Sequence, residues 1–566
     1  MTTVIDIKTQ IERSRARSNS GATSVLMAML LVGVALAPLG CTRRPPPVQT
    51  GNADEDSCTD LLDSAMPLLE PGTLGVSADT GRAVQLLSQW ISNDDCDFQD
   101  AVEPLDEEDS ELLERLFTKE DAATVAQLQF GEEDVIHVRD RILDRRMAEG
   151  LTKNLDSDRE RIAHLFDSVV QNIALIPPGG TEIPLSTFNI TLIGRGTAAD
   201  RAWVFVELLR QLQLDSVIIR PQLVDGDAAD GDRLFVGVTT LDGILLFDPA
   251  AGIPVPSADQ VAPADRSAAE LAVTASIRPA TLKEVVADPT LLTAYDSASE
   301  PIAAEQLMPP RVSVIATTSH ARGAVDVLEQ SLAGEYTVRL YDPLHNSSAG
   351  PGLIDRISRF GEGIFTADDV TLWDYPQRRM KEARRLSESD QSRLRLRLIG
   401  FDAPVEINRE TQSETRTGRQ REARLEMLSG RPVQAIKEFQ LIRIDERFGN
   451  QTNVRPDIRT MYRQATDDAF YWTALCQFER GGANFPTSAA TAARYVENGS
   501  GWVAEAQRLQ ATALAASGEF EKALEVVDRC RADGIDTTRL NVLAERWRTK
   551  QDADTAEDSA VDESSE

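Results

Sequence analysis

The chain has 566 residues, of which 42% are hydrophobic, 27% charged and 5% aromatic, and this composition excludes a chain that is disordered or fibrous throughout. At about 150 residues per domain, the length predicts three or four globular domains. The 91 Asp and Glu residues outnumber the 59 Lys and Arg residues, so the net charge is -32. A field of this sign repels phosphate backbones, and we therefore expect no nucleic-acid partner.

Histidine is scarce in this sequence. The four residues, His137, His164, His320 and His345, are far apart and show none of the short spacings that zinc sites use. We therefore expect no metal site, and we predict no cofactor.

The N-terminal segment has the organisation of an export signal. Basic residues between positions 8 and 17 precede an apolar run at 25–37, which ends in Pro38-Leu39-Gly40-Cys41. The run is shorter than the roughly 18 to 20 apolar residues that cross a bilayer. The Leu-Gly-Cys ending resembles the lipobox of bacterial lipoproteins, although Pro38 stands where that pattern prefers a leucine.

The lipobox resemblance implies that residues 1–40 are a signal peptide and that Cys41 carries the lipid. The mature protein would then be exported to the cell envelope and held on the periplasmic face of a membrane by its lipid anchor. An uncleaved membrane anchor and ordinary secretion remain alternatives.

The other cysteines fall into two groups. Cys58 and Cys96 flank one predicted helical segment and could form a disulfide in an oxidising compartment, although two free thiols are an equally open interpretation. Cys476 and Cys530 lie inside helical patterns, and we predict that they are small core residues.

Periodicity and composition divide the rest of the chain into several segments and predict an α+β multidomain protein. The predicted divisions are a linker at 41–56, a helical region at 57–150, an α+β core at 151–290, a mixed α/β segment at 291–400, a helical region at 401–550 and an acidic tail at 551–566. The tail is too poor in apolar residues to form a core, so we expect it to be disordered.

The α+β core and the segment after it contain the predicted strands. Strands are expected at 188–193, 216–220, 234–239, 244–247, 312–316 and 336–341. A helix is expected at 198–212. Leu241-Asp242-Gly243 joins two of the strands and is typical of a hairpin turn.

In the C-terminal helical region, a glycine is followed five residues later by an alanine at two places. Gly430 precedes Ala435, and Gly518 precedes Phe520 and Ala523. The second of these resembles the second-helix signature of a tetratricopeptide repeat, in which glycine makes the turn and alanine lets two helices approach closely. The resemblance implies a concave surface for a protein or peptide partner, and a plain helical bundle remains an alternative.

A glycine motif suggests one enzymatic interpretation. Gly194-Arg-Gly196 follows a predicted strand and opens a helix, which fits part of a dinucleotide-binding fingerprint. Against this, the strand at 216–220 ends in Arg-Pro without an acid for the ribose, and a hairpin follows where a second βαβ unit is required.

A different resemblance covers residues 155–255. The segment from Gly196 to Leu208-Leu209-Arg210, the strand after it, and Leu246-Phe247-Asp248-Pro249 resemble the core of the transglutaminase-like superfamily of papain-like enzymes. That family places a cysteine at the start of this helix, a histidine at a strand start and an aspartate at the end of the next strand. The resemblance implies a papain-like α+β core for this segment.

The resemblance places Ala198 at the cysteine position, Arg233 at the histidine position and Asp248 at the aspartate position. Because the chemistry needs a thiolate and a base, it implies a pseudoenzyme. We therefore expect a non-catalytic scaffold or binding protein, with an enzyme that uses an unrecognised catalytic group as the alternative. Gly196, Thr197 and Ala198, at the helix N-terminus, are candidate anion-binding residues, and an inert scaffold is the alternative.

The first prediction is that Cys41 is lipidated. Mass spectrometry of the membrane fraction should find an acylated N-terminal cysteine, because the Leu-Gly-Cys ending follows a short apolar run. Cys41→Ser is the control and should lose the acyl mass. An unmodified N-terminus that begins at another residue would contradict this prediction.

Overall fold

The computed structural model of the protein describes residues 53–72, 80–93, 98, 107–177, 180, 182–222, 233–258, 266–295, 304–307, 309–334, 336–344, 350–361, 363–401, 405–408, 413–416, 419–444 and 455–564. Residues 54–566 belong to one compact unit. Helices and strands are both present, which confirms a mixed α+β protein.

The strands are short, and most lie in the middle of the chain. In chain order they are β1 Ala174–Leu175, β2 Arg195–Gly196, β3 Ser216–Arg220, β4 Phe235–Thr240, β5 Gly243–Asp248, β6 Ile253–Pro254, β7 Arg311–Val314, β8 Val370–Leu372, β9 Val405–Asn408 and β10 Ser413–Arg416.

Helices precede, interrupt and follow these strands. Up to residue 399 they are α1 Ala53–Leu69, α2 Thr80–Ile91, α3 Glu107–Leu116, α4 Lys119–Val125, α5 Glu132–Thr152, α6 Asp158–Asn172, α7 Thr187–Ile193, α8 Ala198–Gln211, α9 Ala268–Leu271, α10 Leu282–Ala287, α11 Thr318–Ala321, α12 Gly323–Leu332, α13 Leu353–Ser358, α14 Tyr375–Arg384 and α15 Glu388–Ile399.

The rest of the chain is almost entirely helical. Its helices are α16 Arg419–Leu428, α17 Pro432–Ile444, α18 Pro456–Glu479, α19 Phe485–Asn498, α20 Val503–Ala516, α21 Phe520–Ala532 and α22 Thr538–Ser564. Each of these helices packs against the next one in the chain. Gly430 and Gly518 have φ angles of 66° and 83°, so the expected glycine turns are confirmed.

A six-stranded sheet joins the α+β core to the segment after it. The strand order is β6-β5-β4-β3-β7-β8, with antiparallel pairing except between β7 and β8, which are parallel. Strands β3 to β5, the hairpin between β4 and β5, and helix α8 confirm the elements expected at 198–247. Because β7 and β8 complete the same sheet, the structure does not separate residues 151–290 from 291–400.

Both faces of the sheet are buried. In β4, Val236 and Val238 belong to the core that contains α8. Phe235, the residue before Val236, belongs to the core on the opposite face. Successive residues of a strand point to opposite faces, so two cores require a run that is apolar throughout. Residues 235–238 of β4 and 244–247 of β5 meet that requirement.

The C-terminal helices share the first of these cores with the α+β core. Arg424 of α16 donates hydrogen bonds to both oxygens of Asn172 and to the carbonyl oxygen of Thr191. Trp547 of α22 donates from its indole to the carbonyl oxygen of Leu271 at 2.9 Å. Both side chains are fully buried. The helical region is therefore an integral part of the fold and not a separable module.

The strand expected at 188–193 is wrong, because this segment is helix α7. Its β-branched and apolar residues fit either structure, but Asp140 of α5 accepts hydrogen bonds from the Thr187 hydroxyl and the Phe188 amide at the start of the helix. Gly194, at φ 73°, ends it. A cap from a residue 47 positions away leaves no local signal in the sequence.

The strand expected at 336–341 is also absent from the described part of this segment. The amides of Leu340 and Tyr341 donate to the Glu329 carboxylate, and the amide of Arg339 donates to Gln211. Side chains therefore satisfy the backbone groups that a neighbouring strand would otherwise pair with.

The tail expected to be disordered at 551–566 continues helix α22 as far as Ser564. The helix begins in the core, where Leu543 and Trp547 are buried. Extending an existing helix avoids the cost of nucleation, and Lys550 pairs with Asp554 one turn later at 3.1 Å.

The second prediction concerns the contact between Arg424 and the α+β core. Arg424→Leu leaves three buried carbonyl oxygens without their donor, so we expect a loss of about 2–4 kcal/mol in the free energy of unfolding. Urea unfolding followed by tryptophan fluorescence measures it. Arg431→Leu, which removes an exposed arginine paired with Glu426, is the control and should cost less than about 1 kcal/mol. Equal effects of the two variants would contradict the integral packing.

Candidate functional site

The N-terminus of α8 has the expected helix cap. Thr197 accepts a hydrogen bond from the Asp200 amide, and the Thr197 amide donates to the Asp200 carboxylate. Tyr375 donates to the same carboxylate at 2.9 Å, and Arg379 lies 3.5 Å from it. The Asp200 carboxylate therefore already occupies the helix N-terminus at Gly196, Thr197 and Ala198, where an external anion would otherwise bind.

Arg233 and Asp248 lie in contact. The Arg233 guanidinium is 3.0 Å from the Asp248 carboxylate, and Tyr295 donates to the same carboxylate oxygen at 3.0 Å. The other carboxylate oxygen accepts the amides of Ala250 and Ala251. Asp248 is thus a fully partnered, buried carboxylate.

Ala198 is not part of that cluster. Arg233 lies over the ring of Phe235, which belongs to the core on the sheet face opposite α8. Ala199, next to Ala198, packs in the core on the α8 face. The structure therefore brings together Arg233 and Asp248, two of the three positions that the transglutaminase-like resemblance assigns.

The structure also bears on the dinucleotide interpretation of Gly194 and Gly196. The fingerprint requires a strand that leads into the glycine turn, but helix α7 precedes Gly194. A Cβ atom on Gly194 would lie 2.8 Å from the carbonyl oxygen of Asn172 and from the ring of Trp502. This glycine is needed for close packing, and the segment lacks the strand–turn–helix context of a pyrophosphate site.

The cysteines are only partly described. Cys41 and Cys96 lie outside the described residues, as does the side chain of Cys58, so lipidation and the disulfide remain predictions. Cys476 and Cys530 are buried free thiols, which confirms them as core residues.

A buried cluster of charges surrounds Glu207 of α8, and no pattern in the sequence predicted it. Arg141 forms a salt bridge with this carboxylate, as does Arg210 at 2.6 Å, and His320 lies 3.4 Å away. Burial raises the pKa of Glu207, but the two arginines and His320 together lower it well below the usual value. The carboxylate therefore stays ionised inside the core.

His320 is held neutral in this cluster. Burial and the charge of Arg210 lower the pKa of His320 to about 4. The Thr317 amide donates to Nδ1 of the ring at 3.1 Å, while Nε2 lies 2.9 Å from the guanidinium of Arg210 and 3.4 Å from the carboxylate of Glu207. The adjoining cavity measures about 20 Å³, which is enough for one water molecule and too small for a substrate. The cluster is therefore structural.

A candidate binding site lies between the α+β core and the C-terminal helices. This junction cavity has a volume of about 630 Å³. Its apolar walls include Leu175, Ile176, Leu475, Leu509 and Ile535, and its polar lining includes Arg201, Glu505, Arg508, Asp536 and Arg539. A volume of this size fits a small organic ligand.

Arg201 is the unusual residue of the junction cavity. Its side chain is buried, and it donates to the backbone oxygens of Val170, Ile173 and Pro249 at 2.8–3.2 Å. In the part of the chain that the structure describes, no carboxylate forms a salt bridge with it. Burial and the nearby charge of Arg508 lower the pKa of Arg201 to about 9, so the guanidinium remains a cation at neutral pH.

The other two arginines of the junction cavity have backbone or carboxylate partners. Arg508 donates to the carbonyl oxygen of Asp536, and its guanidinium is 3.6 Å from Glu505. Arg539 pairs with Asp167 at 3.0 Å. The cavity therefore places three guanidinium groups and the two carboxylates of Glu505 and Asp536 beside an apolar surface.

Comparisons with protein-family models, with curated proteins and with solved structures find no match to this chain. Among the described helices, none combines the length and the apolar character needed to cross a membrane. The same part of the chain contains no group of three or more His, Cys, Asp or Glu side chains placed to hold a metal ion.

The third prediction concerns the pH dependence of stability. Because His320 has a pKa of about 4 in the folded protein and about 6.5 when unfolded, the unfolded state binds more protons between these values. The free energy of unfolding should therefore fall as the pH is lowered from 6.5 towards 4. Urea midpoints at pH 6.5 and 5 measure the fall.

His320→Gln should reduce that fall, because the variant has no imidazole to protonate at this position. His164→Gln removes an imidazole outside the Glu207 cluster whose pKa burial also lowers, so it measures that separate contribution of the same sign. An unchanged pH dependence in His320→Gln would show that the His320 imidazole is not its source.

Proposed function

We propose that this chain is a non-catalytic binding protein whose ligand occupies the junction cavity. The proposal keeps the transglutaminase-like interpretation of residues 155–255 as a pseudoenzyme, with Ala198 and Arg233 at positions that need a thiol and a base. It also keeps the exported, lipid-anchored state expected from Cys41. The alternative of an enzyme with an unrecognised catalytic group remains.

The observation that carries the proposal is the buried cation of Arg201. Removing a charge from water is costly, and backbone carbonyl oxygens offset this only in part. The charge of Glu505 acts on Arg201, but among the described residues no carboxylate forms a salt bridge with it. Three of the five N–H groups of a guanidinium are used by the three carbonyls. An anionic group in the cavity would bond to the remaining N–H groups and add an opposite charge in direct contact.

The ligand is inferred from the chemistry of the walls. Three arginines favour a carboxylate head group, because guanidinium groups bind planar oxyanions through paired hydrogen bonds. The apolar side chains beside them favour a hydrocarbon chain on the same molecule. We therefore propose an amphipathic carboxylate of the fatty-acid type. The protein or peptide partner expected at the C-terminal helices remains a separate prediction.

The fourth prediction tests the junction cavity with dodecanoate as the probe. Isothermal titration calorimetry of the full chain should show saturable binding of dodecanoate and much weaker binding of the uncharged dodecanol. Arg508→Gln should weaken dodecanoate binding about tenfold, since one charge-assisted hydrogen bond contributes about 1.5–3 kcal/mol. Arg508 is chosen because it bonds to the rim of the cavity, whereas Arg201 ties three backbone segments together.

The control variant is Arg529→Gln, an exposed arginine on α21 that does not line the cavity. It should bind dodecanoate as the unaltered protein does. Equal binding of dodecanol and dodecanoate would show that only the apolar wall acts. An unchanged affinity in Arg508→Gln would place the ligand elsewhere.

A further inference from the structure

We infer a second ligand site, for a phosphate group, in a separate cavity between α15, α16 and α18. This Gln420 cavity has a volume of about 400 Å³. Arg195, Arg393, Arg397 and Gln420 line it, and Phe401 and Met461 are among its apolar neighbours. It shares no lining residue with the junction cavity, so this inference does not depend on the proposed function.

Gln420 is the first of two observations that point to a ligand. Its side chain is completely buried, and neither the amide nitrogen nor the amide oxygen has a hydrogen-bond partner among the described residues. Leaving such groups unpaired costs about 1–3 kcal/mol each. The nitrogen needs an acceptor and the oxygen needs a donor, so a fitting ligand carries both.

The second observation is the cluster of arginines in the same cavity. Arg195 lies over the ring of Trp502, with its guanidinium carbon 4.5 Å from the ring centroid. Burial and the charges of Arg195 and Arg393 lower the pKa of Arg397, so the three cations are close enough to repel one another. Within the described residues, Arg397 has no hydrogen bond or carboxylate partner. This concentration of positive charge is unusual in a chain of net charge -32.

Asp468 is the carboxylate among the lining residues, and it does not neutralise the cluster. Its oxygen accepts the indole N–H of Trp502 at 2.8 Å. Burial raises the pKa of Asp468 to about 7, so a substantial fraction of this group is uncharged at neutral pH. Arg393 pairs with Asp390 at 3.4 Å, so Arg195 and Arg397 supply the positive charge that an anion can balance.

Hydrogen phosphate fits these groups better than the other common anions. Its acceptor oxygens match the guanidinium groups of Arg195 and Arg397 and the amide nitrogen of Gln420. Its remaining O–H can donate to the amide oxygen of Gln420, which sulfate cannot do at neutral pH. A phosphate ester with its own hydroxyl groups offers the same chemistry, and the experiment below separates the two sources.

The fifth prediction is tested by calorimetry on the full chain, with inorganic phosphate, glycerol 3-phosphate and sulfate as probes at low ionic strength. Phosphate or glycerol 3-phosphate should bind with a dissociation constant below 1 mM, and sulfate at least fivefold more weakly. Tighter binding of glycerol 3-phosphate identifies an ester, and tighter binding of inorganic phosphate identifies the free anion. Equal binding of sulfate and phosphate would overturn the role of Gln420.

Two variants test the residues. Arg397→Gln should weaken phosphate binding at least tenfold. Gln420→Met should weaken it about fivefold and at the same time raise the urea midpoint of the unliganded protein, because the change removes two unpaired buried polar atoms. A residue with a purely structural role would not produce both changes.

Arg463→Gln is the matched control, because Arg463 is an exposed arginine on α18 that does not line the cavity. It should leave phosphate binding unchanged. A dissociation constant above 1 mM for both phosphates in the unaltered protein would overturn the inference. The same conclusion follows if Arg463→Gln weakens binding as much as Arg397→Gln.

Discussion

The rest of the fold depends on the buried salt bridges that the Glu207 carboxylate forms. It lies on α8 and pairs with Arg141 of α5 and Arg210 of its own helix, while Arg210 continues to Asp342 at 2.9 Å. His320 of α11 completes the contacts. Segments from four parts of the chain therefore meet at one buried charge. Because removing one member leaves the others buried without compensation, these segments cannot rearrange independently.

Both proposed ligand sites lie where the C-terminal helices meet the rest of the protein. The junction cavity uses Arg201 of α8 together with Arg508 of α20, and the Gln420 cavity uses Arg195 together with Arg397 of α15. In each case an arginine close to the start of α8 faces a helix from a distant part of the sequence. Arg195 and Arg201, on either side of the start of α8, therefore line the two cavities. The N-terminus of α8 itself is capped by the Asp200 carboxylate.

Elements that depend on residues close in sequence could be predicted, whereas elements that depend on contacts between distant residues could not. Thr197 and Asp200 are three residues apart, so the cap of α8 and the helix after it could be predicted from spacing. Helix α7 could not, because the residue that caps it, Asp140, lies on another helix. The junction cavity could not be predicted from the sequence either, since Arg201 and Arg539 are brought together only by the complete fold. One signal was available: Arg201 directly precedes the apolar run at 202–206 of α8.

The buried contact between Trp547 and Leu271 has a consequence for how the protein reaches its native state. The two residues are 276 positions apart in the sequence. The core on the α8 face therefore cannot close until the chain as far as Trp547 is available, and long-range closure of this kind slows folding. During synthesis, the apolar residues of α8 and β4 would remain without their final covering, which makes the incomplete chain a natural substrate for holding chaperones.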